Sequence, residues 1–304
     1  MTHLIQIDDL SEAQIADLIS LSEDILENRD KYQDACRRKT MATLFFEPST
    51  RTRLSFEAAM LELGGNTLGF ADPNSSSAAK GESIADTIRT VGCYSDIIVM
   101  RHPKEGAPYA ASLKSPVPII NAGDGGHHHP TQTLADLFTI HREKGRLDNL
   151  VVGLCGDLMF GRTVHSLIYA MARHSGITFV LISPDELRAP DYILDGPLSR
   201  KNLRVVETNS LEAVIGDLDI LYMTRVQRER FFNEADYVRL KDSYVLTRAI
   251  LNRAKPGLRV LHPLPRVNEI AVDVDDDPRA CYFKQVFYGK IIRKALLTRM
   301  LENG

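Results

Sequence analysis

The chain has 304 residues, of which 44% are hydrophobic and 25% are charged, proportions that suit a globular protein of about two domains. A formal net charge of -3 leaves no excess of positive charge and argues against a nucleic-acid-binding protein. Clusters of arginine in such a chain are better interpreted as local sites for small anions.

The cysteines and the N-terminus predict a reduced protein without a targeting segment. Cys36, Cys93, Cys155 and Cys281 are widely scattered and form no C-x-x-C pair, so neither a zinc knuckle nor a disulfide framework is expected. The acidic residues near the N-terminus do not fit a signal peptide, and no segment approaches transmembrane length. We therefore expect a cytoplasmic protein that binds neither membranes nor nucleic acid.

Predicted helices and strands alternate through the first half of the chain. Residues 11–27 carry apolar side chains at helical spacing, and Ser11 is placed to cap that helix. Further helices are expected after the polar turn at 47–52, over 82–93 and from Pro130 onwards. Short apolar runs between these helices predict buried strands at 41–46, 68–70, 96–101 and 117–121.

The same alternation resumes near residue 150. Gly153, Gly156 and Gly161 do not have the G-x-G-x-x-G spacing, so a dinucleotide site has weak support. The pattern predicts an α/β protein of two doubly wound domains, each a parallel β-sheet flanked by helices. The strands of this half are predicted at 151–155, 177–182, 203–206, 220–223 and 258–261, and a last amphipathic helix around 291–301.

An apolar run that breaks at Pro48 restarts as a helical pattern headed by hydroxyl groups and arginines. At such a helix start, unpaired backbone N–H groups and the positive end of the helix dipole favour an anion. Ser49, Thr50 and Thr52 add hydroxyl donors, and Arg51 adds a planar fork that can bind a phosphate through two parallel hydrogen bonds. The alternative is that Ser49 or Thr50 merely caps the helix and Arg51 is a solvated surface charge.

A second polar stretch, at 71–81, is rich in serine and ends in Lys80 and Gly81. Stretches of this composition are usually solvated connections between elements. The lysine beside a glycine could nevertheless serve as a mobile cation for a phosphate.

Glycine-rich residues 122–126 lead into three adjacent histidines and then Pro130, a favoured first helical residue. Consecutive side chains point in different directions, and no carboxylate or cysteine stands at helical ligand spacing, so no metal site is predicted. His129 and Gln132 could instead hold a carbonyl oxygen and an NH2 group of a small polar ligand. The alternative is a capping turn with a solvated histidine.

Other polar candidates stand where predicted strands end, the edge at which open α/β sheets bind ligands. Arg101 ends one strand, and Arg225 and Gln227 follow another. Pro263 follows a third, in a loop whose two prolines stop the sheet and leave carbonyl acceptors with few N–H donors. The aspartates at 273–277 lack the EF-hand spacing, so we expect a solvated acidic loop there.

Five separate motifs stand in order along the chain. They are Phe-Phe-Glu-Pro-Ser-Thr-Arg-Thr-Arg at 45–53, His-Pro-Thr-Gln-Thr at 129–133, Gly-Arg-Thr at 161–163, Met-Thr-Arg-Val-Gln at 223–227 and His-Pro-Leu-Pro-Arg at 262–266. Over almost its whole length the chain thereby resembles the catalytic chains of the aspartate carbamoyltransferases, within the aspartate/ornithine carbamoyltransferase superfamily. The ornithine branch shares the first motif, but it typically has a cysteine at Pro263 and a different loop at Arg225 and Gln227.

The resemblance implies a set of site residues for each of two substrates. Carbamoyl phosphate would be bound by Ser49, Thr50, Arg51, Thr52, Ser76, Arg101, His129, Gln132 and the backbone of Pro263. Aspartate would be bound by Lys80, Arg162, Thr163, Arg225, Gln227 and the backbone of Leu264. The implied catalytic residues are Arg51, Thr52, Lys80, Arg101 and His129, of which Thr52, Arg101 and His129 would stabilise the carbonyl oxygen. The serine of the loop could also be Ser75 or Ser77, because the alignment can slip there.

The resemblance also implies how the chain is organised. Residues 1–131 and 288–304 would bind carbamoyl phosphate, residues 132–287 would bind aspartate, and the active site would lie at the domain junction. Glu47, Arg162 and Arg230 resemble an ion-pair set that holds the domains closed. A homotrimer is implied, in which Ser76 and Lys80 reach the active site of the neighbouring chain. Whether a separate regulatory chain binds is left open, and no metal or other cofactor is implied.

The implied reaction transfers the carbamoyl group of carbamoyl phosphate to L-aspartate and gives N-carbamoyl-L-aspartate and phosphate, in pyrimidine biosynthesis. Charge agrees with that acceptor, because Arg162 and Arg225 suit two carboxylates, whereas arginines would repel the side-chain ammonium of ornithine. Two alternatives remain: a carbamoyltransferase for another amino acid such as ornithine, and a non-catalytic phosphate-binding scaffold on the same fold.

Overall fold

The computed structural model describes residues 2–72, 81–200, 202–226, 233–240 and 242–302. The chain divides into two compact units, unit 1 formed by Met1–Phe138 and Val286–Gly304, and unit 2 formed by Thr139–Gln285. Both crossings between the units fall within helices. The division at 131/132 and 287/288 stays a prediction for where the two substrate-binding domains begin and end.

Unit 1 is built on a sheet of four parallel strands in the order β2-β1-β3-β4. The strands are β1 Thr40–Phe45, β2 Asn66–Phe70, β3 Ile97–His102 and β4 Ile119–Asp124. The helices that begin in this unit are α1 Glu12–Glu27, α2 Thr50–Glu62, α3 Ile84–Gly92, α4 Ala107–Ser112 and α5 Pro130–Lys144.

Unit 2 is built on a sheet of five parallel strands in the order β7-β6-β5-β8-β9. The strands are β5 Val151–Cys155, β6 Thr178–Ile182, β7 Arg204–Thr208, β8 Ile220–Met223 and β9 Arg259–Leu261. The helices are α6 Arg162–Met171, α7 Asp191–Leu194, α8 Leu211–Val214, α9 Glu234–Leu240, α10 Arg248–Leu251 and α11 Tyr282–Leu301, the last of which continues into unit 1.

The central strands are apolar on both faces because helices cover both faces of a parallel sheet. In unit 1, Ala42, Leu44, Ile98 and Met100 share one cluster with residues of α3 and α4. Their neighbours along the strands are buried as well, so β1 is buried from Met41 to its end. The prediction of two domains, each a parallel sheet flanked by helices, is therefore confirmed.

Element boundaries differ from prediction where the apolar pattern is interrupted. The last helix begins at Tyr282 rather than near residue 291. The first turns escape prediction because Gln285 is buried while Phe283, Val286 and Phe287 are exposed, so apolar residues do not mark the buried face there. The predicted cap of the first helix is confirmed, since Ser11 Oγ accepts a hydrogen bond from the Gln14 backbone N–H at 3.2 Å. None of the helices among the described ranges has the length and apolar character needed to span a bilayer.

Candidate active site

In unit 1 the predicted site residues lie at the carboxyl edge of adjacent strands. Residues 49–52 follow β1, Arg101 is the next-to-last residue of β3, and His129 and Gln132 follow β4. Since β1 pairs with β3 and β3 pairs with β4, all in parallel, the fold brings these residues to one edge of one sheet. The pairing of Phe45 with Arg101, followed by a 2.9 Å bond from Phe46 N–H to the Arg101 carbonyl, joins two of these segments directly.

The start of α2 is not capped by a side chain. Ser49 occupies the N-cap position with extended backbone, but its hydroxyl makes no capping hydrogen bond, in contrast to Ser11 at the start of α1 and Ser83 at the start of α3. The alternative of a simple capped helix is therefore wrong for Ser49. Because the hydroxyl is not used within the helix start, it and the backbone N–H groups of the first turn are placed to bind an anion.

The two arginines of the first motif are placed differently. Arg53 Nε lies 3.1 Å from Glu57 Oε1 one turn further along α2, and Glu57 also accepts a hydrogen bond from Thr43 Oγ1. Arg51 is exposed at the first turn, whereas Thr52 beside it is buried. Arg51 is therefore the arginine that can reach a ligand at the helix start, and Arg53 is engaged by its own helix.

Arg101 is a partly buried cation held at the sheet edge. Its Nη2 lies 3.0 Å from Glu47 Oε2, and its Nη1 donates to the Ala122 carbonyl at 3.3 Å. Its Nε is buried and makes no hydrogen bond in the structure. Burial lowers the Arg101 pKa below its usual value, and the Glu47 carboxylate partly offsets that effect. The guanidinium thus keeps donor capacity for a further acceptor at this edge.

Glu47 is engaged within unit 1. Its carboxylate pairs with Arg101, a partner that the sequence did not suggest. The predicted set of Glu47 with Arg162 and Arg230 stays a prediction, because Arg230 lies outside the described residues.

The loop between β4 and α5 is organised by Asp124, a residue that sequence reasoning missed. This buried carboxylate accepts hydrogen bonds from Gly106 N–H at 2.9 Å, His128 N–H at 2.8 Å and Asn121 Nδ2 at 3.0 Å. Its only signal in the sequence is an acidic residue among glycines, directly after a strand. A carboxylate with three donors can hold a glycine-rich loop in one conformation.

The three histidines have separate roles. His127 Nδ1 lies 3.3 Å from Asp124 Oδ2, and the rings of His127 and His128 lie 3.6 Å apart. The His129 carbonyl accepts the N–H groups of Gln132 at 3.0 Å and Thr133 at 3.2 Å, so it begins α5. These hydrogen bonds confirm the capping turn. The His129 residue is only 5% exposed, so the alternative of a solvated histidine is wrong. Among the residues described here, no group of His, Cys, Asp and Glu is arranged to hold a metal.

Gln132 has its amide group oriented by a carboxylate. Its Nε2 donates to Asp136 Oδ1 at 2.7 Å, one turn further along α5. A carboxylate only accepts hydrogen bonds, so the NH2 end of the amide must face Asp136. The Oε1 end is thereby left as an acceptor, which suits the predicted contact with an NH2 group.

In unit 2 the predicted substrate-binding residues also share one sheet edge. Arg162 and Thr163 begin α6 after β5, Arg225 follows β8, and Pro263 and Leu264 follow β9. The strands β5, β8 and β9 are neighbours in the sheet and run parallel, so these residues meet at its carboxyl edge. All five side chains are partly exposed.

Gly156 lets two of these segments touch. Its φ is +121°, and a Cβ at this position would lie 2.3 Å from the Thr224 carbonyl oxygen. The same contact includes a 2.8 Å hydrogen bond from Thr224 N–H to the Cys155 carbonyl. Only glycine permits both the backbone conformation and this approach, which joins the loop before Arg162 to the segment that carries Arg225.

His165 holds the loop that leads to Arg162 and was also missed from sequence. Its Nε2 donates to the Leu158 carbonyl at 2.7 Å, which leaves Nδ1 as the acceptor of the Tyr192 hydroxyl at 3.0 Å. Burial lowers the His165 pKa below its usual value. The histidine is therefore a neutral brace with one fixed tautomer.

The loop with Pro263 and Leu264 is held by a buried histidine and glutamate. His262 Nδ1 accepts the Leu264 N–H at 2.8 Å, while its Nε2 donates to Glu269 Oε1 at 2.7 Å. Glu269 Oε2 accepts the N–H groups of Val267 at 3.0 Å and Asn268 at 3.1 Å. Burial raises the Glu269 pKa, but hydrogen bonds led by that of His262 outweigh burial and the net shift is downward. Leu264, with φ of +54°, is kept in a left-handed conformation by these contacts.

Four sequence-based assignments cannot be placed. Ser76 and Lys80, together with Gln227 and Arg230, lie outside the described residues. Their roles stay predictions.

Comparisons with known proteins cover both units. A family model for the carbamoyl-P binding domain of aspartate/ornithine carbamoyltransferases matches residues 2–142, and a model for the Asp/Orn binding domain matches residues 148–300. The chain is 60% identical to the aspartate carbamoyltransferase catalytic subunit of Lachnoclostridium phytofermentans over 302 residues, covering 99% of this chain and 98% of that protein. It is 59% identical to the corresponding subunit of Clostridium kluyveri, covering 98% and 97%.

Solved structures also match the chain over almost its whole length. The catalytic subunit of aspartate transcarbamoylase from M. jannaschii is 46% identical, with a TM-score of 0.92, over 100% of this chain and 99% of that one. Aspartate transcarbamoylase from Trypanosoma cruzi, in complex with N-(phosphonacetyl)-L-aspartic acid, is 40% identical, with a TM-score of 0.93, over 99% and 96%. The same T. cruzi enzyme has been solved with carbamoyl phosphate and aspartate together.

Proposed function

This chain belongs to the aspartate/ornithine carbamoyltransferase family, and we propose that it transfers the carbamoyl group of carbamoyl phosphate to the amino group of L-aspartate. The products are N-carbamoyl-L-aspartate and phosphate, in a step of pyrimidine biosynthesis. The observation that carries the proposal is the uncapped start of α2, where Ser49 and Arg51 stand at the same sheet edge as Arg101, His129 and Gln132. Full-length relatives named for this reaction support it.

Most of the groups that bind carbamoyl phosphate in this proposal belong to unit 1. Residues 49–52 bind the phosphate through hydroxyls, backbone N–H groups and the Arg51 guanidinium. Thr52, Arg101 and His129 donate to the carbamoyl oxygen. The Gln132 Oε1 accepts from the carbamoyl NH2, with the Pro263 carbonyl as the second acceptor.

Aspartate is bound by residues of unit 2. Arg162 and Arg225 each grip a carboxylate, and Thr163, Gln227 and the Leu264 backbone complete the set. Two guanidinium groups at one sheet edge favour an acceptor with two carboxylates and disfavour the ammonium of ornithine.

The chemistry needs no covalent intermediate. The neutral amino group of aspartate attacks the carbamoyl carbon, negative charge develops on the carbonyl oxygen, and phosphate leaves and can take the amine proton. Arg101, His129 and Thr52 stabilise the developing charge, a role in which loss of one donor costs about a hundredfold or more in rate. Arginines and the helix start also offset the repulsion between two anionic substrates, so that attack occurs from a fixed geometry.

The proposal extends to the organisation of the enzyme. Residues 1–131 and 288–304 form the carbamoyl phosphate domain, residues 132–287 form the aspartate domain, and the site lies at their junction, with Glu47, Arg162 and Arg230 holding it closed. The enzyme acts as a homotrimer in which Ser76 and Lys80 come from a neighbouring chain. The relatives' designation as catalytic subunits supports the further proposal of a separate regulatory partner. The enzyme acts in the cytoplasm, the reducing compartment for which four free cysteines are typical.

An assay of the purified chain with carbamoyl phosphate and either aspartate or ornithine tests the function. We expect phosphate release that requires aspartate, and we expect Arg51→Ala to lower kcat/KM by about 100-fold or more, because the phosphate loses its bidentate partner. Arg53→Ala is the matched control, since Arg53 pairs with Glu57 on its own helix, and its activity should fall by less than about fivefold.

Three outcomes would overturn the proposal. Phosphate release that does not depend on aspartate would indicate a scaffold or a simple phosphatase. A preference for ornithine would indicate the other branch of the family. Full activity of Arg51→Ala would remove the anion site at α2 from the mechanism.

A further inference from the structure

A buried carboxylate lies directly behind Gln132. Asp136 is fully buried on α5 and accepts the Gln132 Nε2–H at 2.7 Å. The proposed reaction gives no role to a carboxylate at this position, and burying a charge is costly unless it is compensated. Its position suggests that the charge serves the amide rather than the substrate.

The compensating charge comes from the last helix. Arg293 of α11 is 5% exposed, its Nη1 donates to Ser55 Oγ at 3.0 Å, and its guanidinium carbon lies 5.1 Å from the centre of the Phe56 ring. Burial lowers the Arg293 pKa to about 10, and the charge of Asp136 opposes that effect. Arg293 therefore stays a cation at neutral pH, and its charge and that of Asp136 attract each other.

Close helix packing keeps this cation in place. Gly289 lies one turn before Arg293, and a Cβ there would lie 2.8 Å from Arg293 Nη1 and 3.4 Å from Ala135 Cβ. Glycine thus lets α11 approach α5 beside Asp136. The guanidinium is held from α2 by the Ser55 hydroxyl and the Phe56 ring, and the charge of Asp136 on α5 attracts it.

We propose that Asp136 is a positioning residue, which fixes the Gln132 amide with Oε1 toward the substrate and thereby selects an acyl phosphate that carries an NH2 group. The inference rests on the proposed function, because it assigns the acyl donor that the Gln132 site accepts. A carboxylate only accepts hydrogen bonds, so the Gln132 amide cannot flip to point its Oε1 at Asp136. An acyl phosphate with a methyl group in place of NH2 offers no donor to Oε1 and leaves that acceptor unsatisfied.

Asp136→Asn tests the orientation. The new side chain has an NH2 group of its own, which can donate to Gln132 Oε1 and turn the Gln132 NH2 toward the carbamoyl NH2. We expect carbamoyl phosphate to bind about 10- to 100-fold more weakly, the usual effect of leaving one buried polar group unpaired. The inhibition constants of acetyl phosphate and inorganic phosphate, measured as competitive inhibitors, should change by less than about twofold, because neither carries an NH2 group that can donate to Gln132 Oε1.

Two comparisons separate positioning from a structural role. Asp124→Asn removes another buried carboxylate of unit 1, one that braces a loop, and should weaken all three anions alike. Gln132→Ala should remove the preference for carbamoyl phosphate by itself, and adding Asp136→Asn to it should cost little more, since the two residues act as one unit. If Asp136→Asn does not fold, Asp136→Ala is used, which frees the amide to rotate and should lower the preference several-fold.

The outcomes are distinct from those of the function assay. Equal weakening of all three ligands by Asp136→Asn, or an unchanged ratio between carbamoyl phosphate and acetyl phosphate, would overturn the inference. A wild-type chain that does not prefer carbamoyl phosphate to inorganic phosphate would instead overturn the proposed function.

Discussion

At the scale of single residues, the site is held by buried polar side chains that bind no substrate in the proposed reaction. Asp124 fixes the loop before α5, Asp136 orients Gln132, His165 braces the loop before Arg162, and Glu269 anchors the loop with Leu264. Each has its hydrogen-bonding partners within the fold, so each can remain buried at little cost. These groups decide the geometry, and the motif residues supply the chemistry.

His165 gives stability a pH dependence whose sign follows from its environment. Burial lowers its pKa in the folded chain, so below about pH 6.5 the unfolded chain binds a proton that the folded chain does not. The contribution of His165 is therefore fully present above pH 6.5 and is lost as the pH falls, by up to about 1.4 kcal/mol per pH unit. In urea unfolding at pH 7.5 and 5.5, His165→Asn should show a flatter pH dependence than the wild type.

Tyr192→Phe is the control for this experiment. It removes the hydroxyl that donates to His165 Nδ1 but keeps the buried imidazole, so the pH dependence should remain close to that of the wild type. Parallel pH profiles for His165→Asn and the wild type would contradict the prediction. Protein concentration is held constant, because association would change the apparent stability.

At the scale of elements, the candidate site depends on how each helix begins and on how closely neighbouring loops approach one another. Ser11, Ser83 and Thr247 cap their helices with side-chain oxygens, whereas Ser49 does not, and His129 caps through its carbonyl. Among the serine and threonine N-caps of the described α-helices, Ser49 is the exception, and it lies at the candidate site. A helix start whose backbone N–H groups receive no side-chain cap can use those groups to bind a ligand.

Gly156→Ala should damage the aspartate half of the site. The new Cβ would meet the Thr224 carbonyl at 2.3 Å in a backbone conformation that favours glycine, so the loop before α6 must move away from β8. We expect a loss of about 2 kcal/mol or more in the free energy of unfolding. The KM for aspartate should rise more than that for carbamoyl phosphate, since the displaced loop leads to Arg162.

Gly145→Ala isolates the steric part of this effect. Gly145 also has a positive φ, of +70°, but an added Cβ there meets nothing within 4 Å. It should cost only about 1 kcal/mol of conformational strain and leave both KM values unchanged. Equal losses in the two variants would show that the contact with Thr224 does not matter.

At the scale of the whole molecule, the two units divide the polar site residues between them. Residues that fit a phosphate and a carbamoyl group lie on the sheet of unit 1, and the arginines that fit two carboxylates lie on the sheet of unit 2. The proposed trimer would add Lys80 from a neighbouring chain to each site. That sharing can be tested without a structure of the assembly.

Mixing inactive chains tests the shared site. If each site takes Arg51 from one chain and Lys80 from its neighbour, random trimers of Arg51→Ala and Lys80→Ala chains should regain about a quarter of the wild-type sites, since every mixed ring contains one intact site. Activity is measured after the two variants are dissociated and reassociated together. Mixtures of Arg51→Ala with Arg101→Ala should show no recovery, because both residues belong to unit 1 of the same chain. No recovery in the first mixture would assign Lys80 to its own chain.

Much of the architecture could be predicted from the sequence because its signals are local. The strands at 151–155 and 220–223 were predicted with the observed bounds, and the cap at Ser11 was read from its position before an apolar periodic run. The predicted final helix is too short, because a buried Gln285 and the exposed Phe283 and Phe287 break the pattern on which prediction depends. Asp136 carried a signal that could have been used, an acidic residue four positions after Gln132 on a helix.

By itself the sequence determined the alternation of strands and helices, the family, and the residue types at the ends of the strands, since periodicity and motifs are contiguous. Only the tertiary structure decided which partners hold those residues. Glu47 with Arg101, and Ser55 with Arg293, join positions far apart in the chain that meet because parallel strands and the last helix bring them together. Such contacts depend on packing, and packing has no signature in a short stretch of sequence.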